Sequence, residues 1–182
     1  MLKLIKVLVI TVLFCLSGCS SIGLQRLDSG DLKLLPLEEG PPASLIKQII
    51  AMSSQGQERE FISVLKLQHD RLILVALWPT GQKLMELEYD GSRLTQQNFT
   101  PLDLDGELLT AVVQFVLWPE PSIRKNYPES EGWVLELGVK QRSLLTASGI
   151  LLNVAYLENE IVIDNFDRDY RVKVKMLEKK DL

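Results

Sequence analysis

The sequence predicts a mainly β protein of the α+β class: a curved antiparallel sheet or incomplete β-barrel of about nine or more strands, with two plug helices. Most segments between positions 57 and 176 alternate apolar and polar side chains, which is typical of strands with one covered and one solvated face. Short turns such as Asp90-Gly91 join them, and short turns connect antiparallel neighbours. The apolar face of about nine strands is larger than the area that two short helices can cover. We therefore expect the sheet to be strongly curved.

The predicted strands follow each other with short interruptions. Each is a run of four or more residues with period-two alternation or an almost wholly apolar composition. They lie at 57–69, 71–78, 83–89, 93–99, 133–140, 142–147, 150–157, 161–166 and 170–176.

Two segments have helical spacing instead. The first, 43–54, places its apolar residues on one side, which predicts a short amphipathic helix. In the second, Asp105 can cap a nearly all-apolar helix that Pro119 ends, and a helix of that kind is expected to be buried. Segment 120–131, which contains two prolines, is predicted to be a loop.

The N-terminal segment has the pattern of a cleaved secretory signal. Two lysines precede an apolar run at 7–16, and the small residues Ser17 and Gly18 precede Cys19. The run is too short to span a bilayer, which needs about 20 apolar residues. Segment 1–18 resembles a bacterial lipobox, and that resemblance implies diacylation of the Cys19 thiol with acyl chains such as palmitate, cleavage before Cys19, and acylation of the new amino group. An ordinary secretory signal cut a residue or two later is the alternative.

The residue after the cysteine bears on location. Ser20 is not Asp, and in enterobacterial-type lipoproteins Asp at this place is the signal for retention in the inner membrane. The resemblance therefore implies a lipid anchor in the outer membrane, with the protein facing the periplasm. Two or more acyl chains anchor a protein durably, at about 0.8 kcal/mol per buried methylene.

The segment between the anchor and the domain, 19–42, is predicted to be a lipidated tether. It mixes Ser, Gly, Gln, Leu and Pro and ends in Gly40-Pro41-Pro42. Its four leucines at 32–37 leave a second interpretation open, in which part of the segment packs on the domain as an irregular arm.

Length and charge bound the remaining possibilities. Removing 18 residues from 182 leaves 164, which suits one compact domain, predicted at 43–182. The signal carries two lysines and no acid, so the formal charge falls from −4 to −6, and a chain this acidic lacks the basic patch that nucleic acid requires. Cys15 lies in the signal and Cys19 would be acylated, which leaves no thiol for a disulfide or a metal.

Catalytic and metal-binding patterns are not evident in the sequence. His69, the sole histidine, stands at a strand end without a placed nucleophile, and we expect a solvated turn residue. Glu86 and Glu88 share one strand face and are expected to be its solvated side. The aspartates at 164–169 lack the spacing of an EF-hand. We therefore expect no enzyme, no metal and no cofactor beyond the covalent lipid.

Several short motifs together resemble a known family. The stretches 109–119 and 165–174, with Arg142-Ser143-Leu144-Leu145, resemble a family of small proteobacterial lipoproteins of unknown function that are similar to LolA and LolB, the periplasmic carrier and outer-membrane receptor of lipoproteins. The resemblance implies a half-open barrel around a hydrophobic cavity that accepts acyl chains. It also implies a lipoprotein or an aryl-polyene-type lipid as cargo, and a periplasmic carrier or an envelope complex as partner.

The phase of the predicted elements alone assigns the residues of such a cavity. They are Phe61, Leu65, Leu67, Met85, Leu87, Leu109, Val113, Trp133, Leu135, Leu137, Val154, Tyr156, Val172 and Val174. LolB-type receptors carry an apolar loop that approaches the membrane, and the resemblance implies that role for Trp78 and Pro79.

Two function classes follow from these predictions, and a third, weaker one is an enzyme that acts on acyl groups through His69. In the first, the protein is an outer-membrane lipoprotein that binds or transfers a lipid or acyl chain. In the second, the same apolar residues fill an ordinary core, since a barrel of this size can be filled by its own side chains, and the protein acts through protein–protein contacts without a ligand.

Overall fold

The structure, a computed structural model, describes residues 32–101 and 104–182. The predicted signal peptide, the lipidation site Cys19 and the first part of the predicted tether lie outside the described residues. Among the described residues, no helix is long and apolar enough to cross a membrane.

In the part of the chain that the structure describes, ten strands and two α-helices make up the domain. The helices are α1 (Gly106–Leu117) and α2 (Glu120–Asn126), and short 3₁₀ turns occupy Leu37–Glu39 and Glu129–Glu131. The strands are β1 (Ser44–Ser54), β2 (Gln57–Leu67), β3 (Leu72–Leu77), β4 (Lys83–Tyr89), β5 (Leu94–Asn98), β6 (Val134–Leu137), β7 (Gln141–Thr146), β8 (Gly149–Tyr156), β9 (Ile161–Asn165) and β10 (Tyr170–Asp181).

All ten strands form one antiparallel sheet in the order β5-β4-β3-β2-β1-β10-β9-β8-β7-β6. Two five-stranded meanders are joined in the middle by the long pairing of β1 with β10, from Ser44 opposite Asp181 to Ser54 opposite Tyr170. The two end strands, β5 and β6, do not pair with each other, so the curved sheet stays unclosed. The predicted fold class, an incomplete antiparallel barrel with two helices, is confirmed.

The predicted helix at 43–54 is wrong, because this segment is strand β1. Its apolar spacing fits both periods, since Ile46, Ile50 and Met52 also share one strand face. Pairing decides between them: β1 has a full-length partner on each side, β2 and β10, whose hydrogen bonds an isolated short helix could not match. The sequence feature that could have predicted a strand here is Gln55-Gly56, which forms the two-residue hairpin turn between β1 and β2. Both residues have positive φ (51° and 74°), as such a turn requires.

The helix predicted after Asp105 is confirmed as α1. The Asp105 carboxylate accepts a hydrogen bond of 3.0 Å from Leu108 N, and the helix ends just before Pro119. Segment 120–131 is not a plain loop, because α2 occupies its first seven residues and Pro121 lies in the first turn, where its missing N–H costs nothing. The second plug helix is therefore α2.

Residues 32–42 pack against the helices as an arm. Leu35 is fully buried, and its backbone is bonded on both sides by Gln114 of α1: Leu35 N donates to Gln114 Oε1 at 2.7 Å, and Gln114 Nε2 donates to Leu35 O at 2.8 Å. The indole of Trp118 donates to Pro36 O at 2.9 Å. The side chains of α1 thus replace the strand partner that the extended arm would otherwise lack.

The far end of the arm is held by Glu39. Its carboxylate accepts hydrogen bonds from Lys125, from Ser122 at 2.9 Å and from Asn126 at 3.1 Å, all on α2. The bond from Lys125 is the largest cause that holds the pKa of Glu39 below its ordinary value of 4.5. The charged form of Glu39 is therefore the one that ties the arm to α2.

Acid is expected to loosen this attachment. Because the pKa of Glu39 is lowered on folding, its contribution to stability is fully present above pH 4.5 and is lost as the pH falls through the lowered value. Glu39→Gln should flatten the dependence of the unfolding free energy on pH below 4.5. Urea unfolding at about pH 7 and about pH 3.5 measures this, with Glu120→Gln on the same helix as the control. An equally steep decline in both variants would contradict the assignment to Glu39.

Candidate functional site

An apolar cavity of about 210 Å³ lies between the concave face of the sheet and helix α1. Strands β1, β2, β3, β4, β9 and β10 supply its floor. Its lining consists of Gln48, Ile50, Met52, Phe61, Ser63, Leu65, Leu74, Ala76, Leu84, Met85, Leu104, Asp105, Leu108, Leu109, Val112, Val113, Val116, Leu117, Ile161, Ile163, Tyr170, Val172 and Val174.

The strand alternation places these side chains together. Ile50 of β1 lies opposite Phe61 of β2 and Val174 of β10, so one row of apolar side chains crosses the middle of the sheet. Since side chains alternate between the two faces, the charged residues of β10, such as Lys173, point to the convex side. A largely apolar floor results from the side chains that three neighbouring strands place on the same face of the sheet.

The floor is only partly covered. Ile50, Met52, Leu109, Val113 and Val172 all line the cavity and are only half-buried, although they belong to the interior of the domain. The helix presents short aliphatic side chains to a wide, curved sheet, and a space remains between them. Its volume exceeds the roughly 150 Å³ at which an engineered apolar cavity already binds benzene.

The other half of the concave side is solidly packed. Tyr127 lies between Phe115 and Trp133 with edge-to-face ring centroids 6.1 Å and 5.1 Å away, and all three rings are buried. Trp118, which donates to Pro36 O of the arm, is also buried, with 1% of its surface exposed. In the described segments of the chain, the cavity lining contains no residue of β6, β7 or β8, so the cavity is confined to the side of β1–β4, β9 and β10.

The structure brings together half of the predicted cavity residues. Phe61, Leu65, Met85, Leu109, Val113, Val172 and Val174 line the cavity. The others, Leu67, Leu87, Trp133, Leu135, Leu137, Val154 and Tyr156, are buried or half-buried in the core away from its lining. The contributions of β1, including Gln48, Ile50 and Met52, were missed because that segment was assigned to a helix.

The predicted membrane-facing residues occupy the turn between β3 and β4. Pro79 is exposed, whereas Trp78 is half-buried, with its ring 5.4 Å from that of Phe61. The turn is tight, since Trp78 N donates to Gln82 O and Gly81 N donates to Trp78 O, each at 2.8 Å. Trp78 thus packs against Phe61, which lines the cavity.

A side-chain cluster holds the C-terminal end of α1 against the sheet. Arg142 Nη1 donates to the carbonyl oxygens of Phe115 (2.9 Å), Val116 (3.3 Å) and Trp118 (2.8 Å). The Tyr156 hydroxyl also donates to Val116 O, at 2.7 Å, and burial raises the pKa of this phenol. The guanidinium of Arg142 binds the last carbonyl groups of α1, which have no partners within the helix. These carbonyls also form the negative end of the helix dipole, so a positive charge is favourable there.

Replacing Arg142 by Ala is expected to lower the free energy of unfolding by about 2 kcal/mol, since charge-assisted hydrogen bonds to helix-end carbonyls are lost. Arg142→Lys should recover only part of this, because an ammonium lacks the planar fork. The exposed ion pair of Arg124 with Glu120 provides the control, and Arg124→Ala should cost less than about 0.5 kcal/mol. Equal urea midpoints for Arg142→Ala and wild type would contradict the role of Arg142.

The remaining chemical candidates lie on the surface. His69 is exposed in the turn between β2 and β3. Glu86 pairs with Lys83 at 2.7 Å and Glu88 with Arg71 at 2.9 Å. Within residues 32–101 and 104–182, no three His, Cys, Asp or Glu side chains are grouped so that they could hold a metal ion.

The curved, unclosed sheet, its two helices and the cavity between them define a half-barrel with an internal apolar cavity. The chain belongs to a family of proteins of unknown function, DUF3261, whose model matches residues 45–178. This confirms the predicted membership in a family of unknown function. No curated protein matches the chain in sequence.

Similar solved structures are distant in sequence. A LolA superfamily protein from Nitrosomonas europaea is 9% identical with a TM-score of 0.46, over 80% of this chain and 90% of that one. A domain provisionally described as an outer membrane lipoprotein-sorting protein from Vibrio parahaemolyticus is 8% identical with a TM-score of 0.41, over 80% and 87%. A DUF1329 family protein from Desulfovibrio piger is 8% identical with a TM-score of 0.29, over 80% and 87%.

Proposed function

We propose that this protein binds the acyl chain of a lipid or lipoprotein in the cavity beneath α1. The observation that carries the proposal is the cavity of about 210 Å³, whose lining is aliphatic or aromatic except at a few positions. An apolar space of this kind selects ligands by the apolar surface they bury rather than by specific chemistry.

The energetics are compatible with reversible binding. Each methylene that leaves water contributes about 0.8 kcal/mol, so a segment of about eight carbons contributes roughly 6 kcal/mol before the cost of association. Part of that gain is offset by lost translational freedom and chain entropy. Such a balance suits a protein that receives and releases its ligand.

The proposed setting is the periplasmic face of the outer membrane. The lipobox-like segment before Cys19 supports a lipid anchor there, and the family resemblance supports exchange of a lipid, a lipoprotein or an aryl-polyene-type cargo with a periplasmic carrier or an envelope complex. The role is binding or transfer and not catalysis. Metabolic labelling with an alkyne-tagged fatty acid should label the wild-type protein and not Cys19→Ser, and a wild-type protein that stays unlabelled would contradict the anchor.

The cavity is tested with the whole mature chain, 19–182, carrying Cys19→Ser so that its own acyl chains are absent. Mass spectrometry of protein purified without detergent should detect a co-purified lipid. The neutral fluorophore N-phenyl-1-naphthylamine should brighten on binding and be displaced by acyl compounds. A preparation that contains no lipid and does not brighten the fluorophore would contradict the proposal, and a stoichiometric protein partner in its place would favour the assembly role.

A further inference from the structure

Two polar side chains interrupt the apolar cavity floor at one point. Gln48 of β1 and Ser63 of β2 are directly opposite in the strand register and both line the cavity. The neighbours of Gln48 on its own face are Ile46 and Ile50. The polar pair is therefore an isolated feature of the floor.

The pair does not satisfy its own hydrogen-bonding capacity. The distance from Gln48 Nε2 to Ser63 Oγ is 3.5 Å, which is long for a hydrogen bond. Within the described part of the chain, the Gln48 side chain makes no other hydrogen bond, while Ser63 is only 3% exposed. An amide carries two donor hydrogens and an acceptor oxygen, so the pair retains capacity for a further hydrogen-bonding partner.

The charges around the cavity restrict what can reach the pair. No Lys, Arg or His belongs to the cavity lining formed by the described residues. The acidic residue in the lining, Asp105, already accepts the hydrogen bond that caps α1. Burial raises the pKa of the Tyr170 phenol, which also lines the cavity, so this group stays neutral. A carboxylate ligand would lose its hydration here and gain no cation, so an anionic head group is disfavoured.

We propose that the bound acyl chain is neutral and carries a hydroxyl or an ester or amide carbonyl, which bonds to the Gln48 amide and the Ser63 hydroxyl. This inference rests on the proposed function and specifies its ligand class: acyl groups in ester or amide linkage, or hydroxylated chains, and not free fatty acid anions. The hydrocarbon portion occupies the remaining aliphatic part of the cavity.

Three probes separate these chemistries: methyl decanoate, dodecane and the decanoate anion, each supplied from cyclodextrin. Dodecane has the same number of chain atoms as methyl decanoate. Each probe is tested for displacement of N-phenyl-1-naphthylamine from the mature Cys19→Ser chain. Gln48→Leu should lower the affinity for the ester by about fivefold to tenfold relative to the affinity for dodecane, because a net hydrogen bond has that magnitude. Ser63→Ala should act in the same direction. Gln97→Leu, the same change at an exposed position on β5, should leave the ratio unaltered.

The outcomes distinguish the two proposals. If the fluorophore binds and is displaced but Gln48→Leu leaves the ratio of ester to dodecane unchanged, the ligand assignment is overturned and the acyl-binding function stands. If decanoate binds wild type as tightly as the methyl ester, the exclusion of anions is overturned. If no probe and no fluorophore binds to folded wild-type protein, the acyl-binding function itself fails.

Discussion

Ala76→Trp is expected to lower the affinity for acyl compounds by at least about tenfold while the protein stays folded. Ala76 lies on the concave face of β3, opposite Ser63 and Met85, and its side chain lines the cavity. An indole at this position would occupy the space that the ligand needs and bury its own apolar surface there. Displacement of N-phenyl-1-naphthylamine measures the affinity, and urea unfolding reports whether the larger side chain fits.

The same substitution on the other face of the sheet provides the control. Ala51 is half-buried on the convex side of β1, between Glu60 and Lys173 in the register. Ala51→Trp introduces an identical indole away from the cavity and should leave ligand affinity unchanged. An affinity that stays at the wild-type value in both variants would show that the ligand does not occupy the cavity, whereas equal losses in both would indicate a general effect of the added bulk.

Gln114→Leu is expected to lower the free energy of unfolding by about 3 kcal/mol. The substitution leaves the N–H and C=O of Leu35 buried without partners, and each unpaired group costs about 1–3 kcal/mol. For a domain of this size the loss corresponds to a decrease in Tm of about 6–12 °C. Both urea unfolding and thermal unfolding measure it.

Gln97→Leu is the matched control for this substitution as well, because Gln97 is exposed and should tolerate leucine within about 0.5 kcal/mol. A loss below about 1 kcal/mol in Gln114→Leu would indicate that the arm contributes little to the stability of the domain. A large loss, accompanied by faster proteolysis N-terminal to Ser44, would indicate that the arm detaches first.

The cavity illustrates how far strand phase predicts a site. Phase alone identified Phe61 and Leu65 on β2 and Val172 and Val174 on β10, because the two residues of each pair lie two positions or four positions apart and so share one strand face. Strand phase could not distinguish the residues of the concave face that border the cavity from those that pack against aromatic side chains. Leu135 and Val172 alternate alike, yet only Val172 lines the cavity, since Tyr127 and Trp133 fill the other end.

The sequence by itself determined the fold class, the antiparallel order of neighbouring strands and the helix after Asp105, because alternation, short turns and capping act over a few residues. Its apolar spacing led to the wrong assignment of 43–54 as a helix, and it left undecided whether residues 32–42 were free or packed. Tertiary structure decided both, since the partners of β1 lie in β2 and β10, and the partner of Leu35 is Gln114, 79 residues away. The cavity depends on the same distant contacts, because its volume is what remains when a curved sheet and a short helix meet.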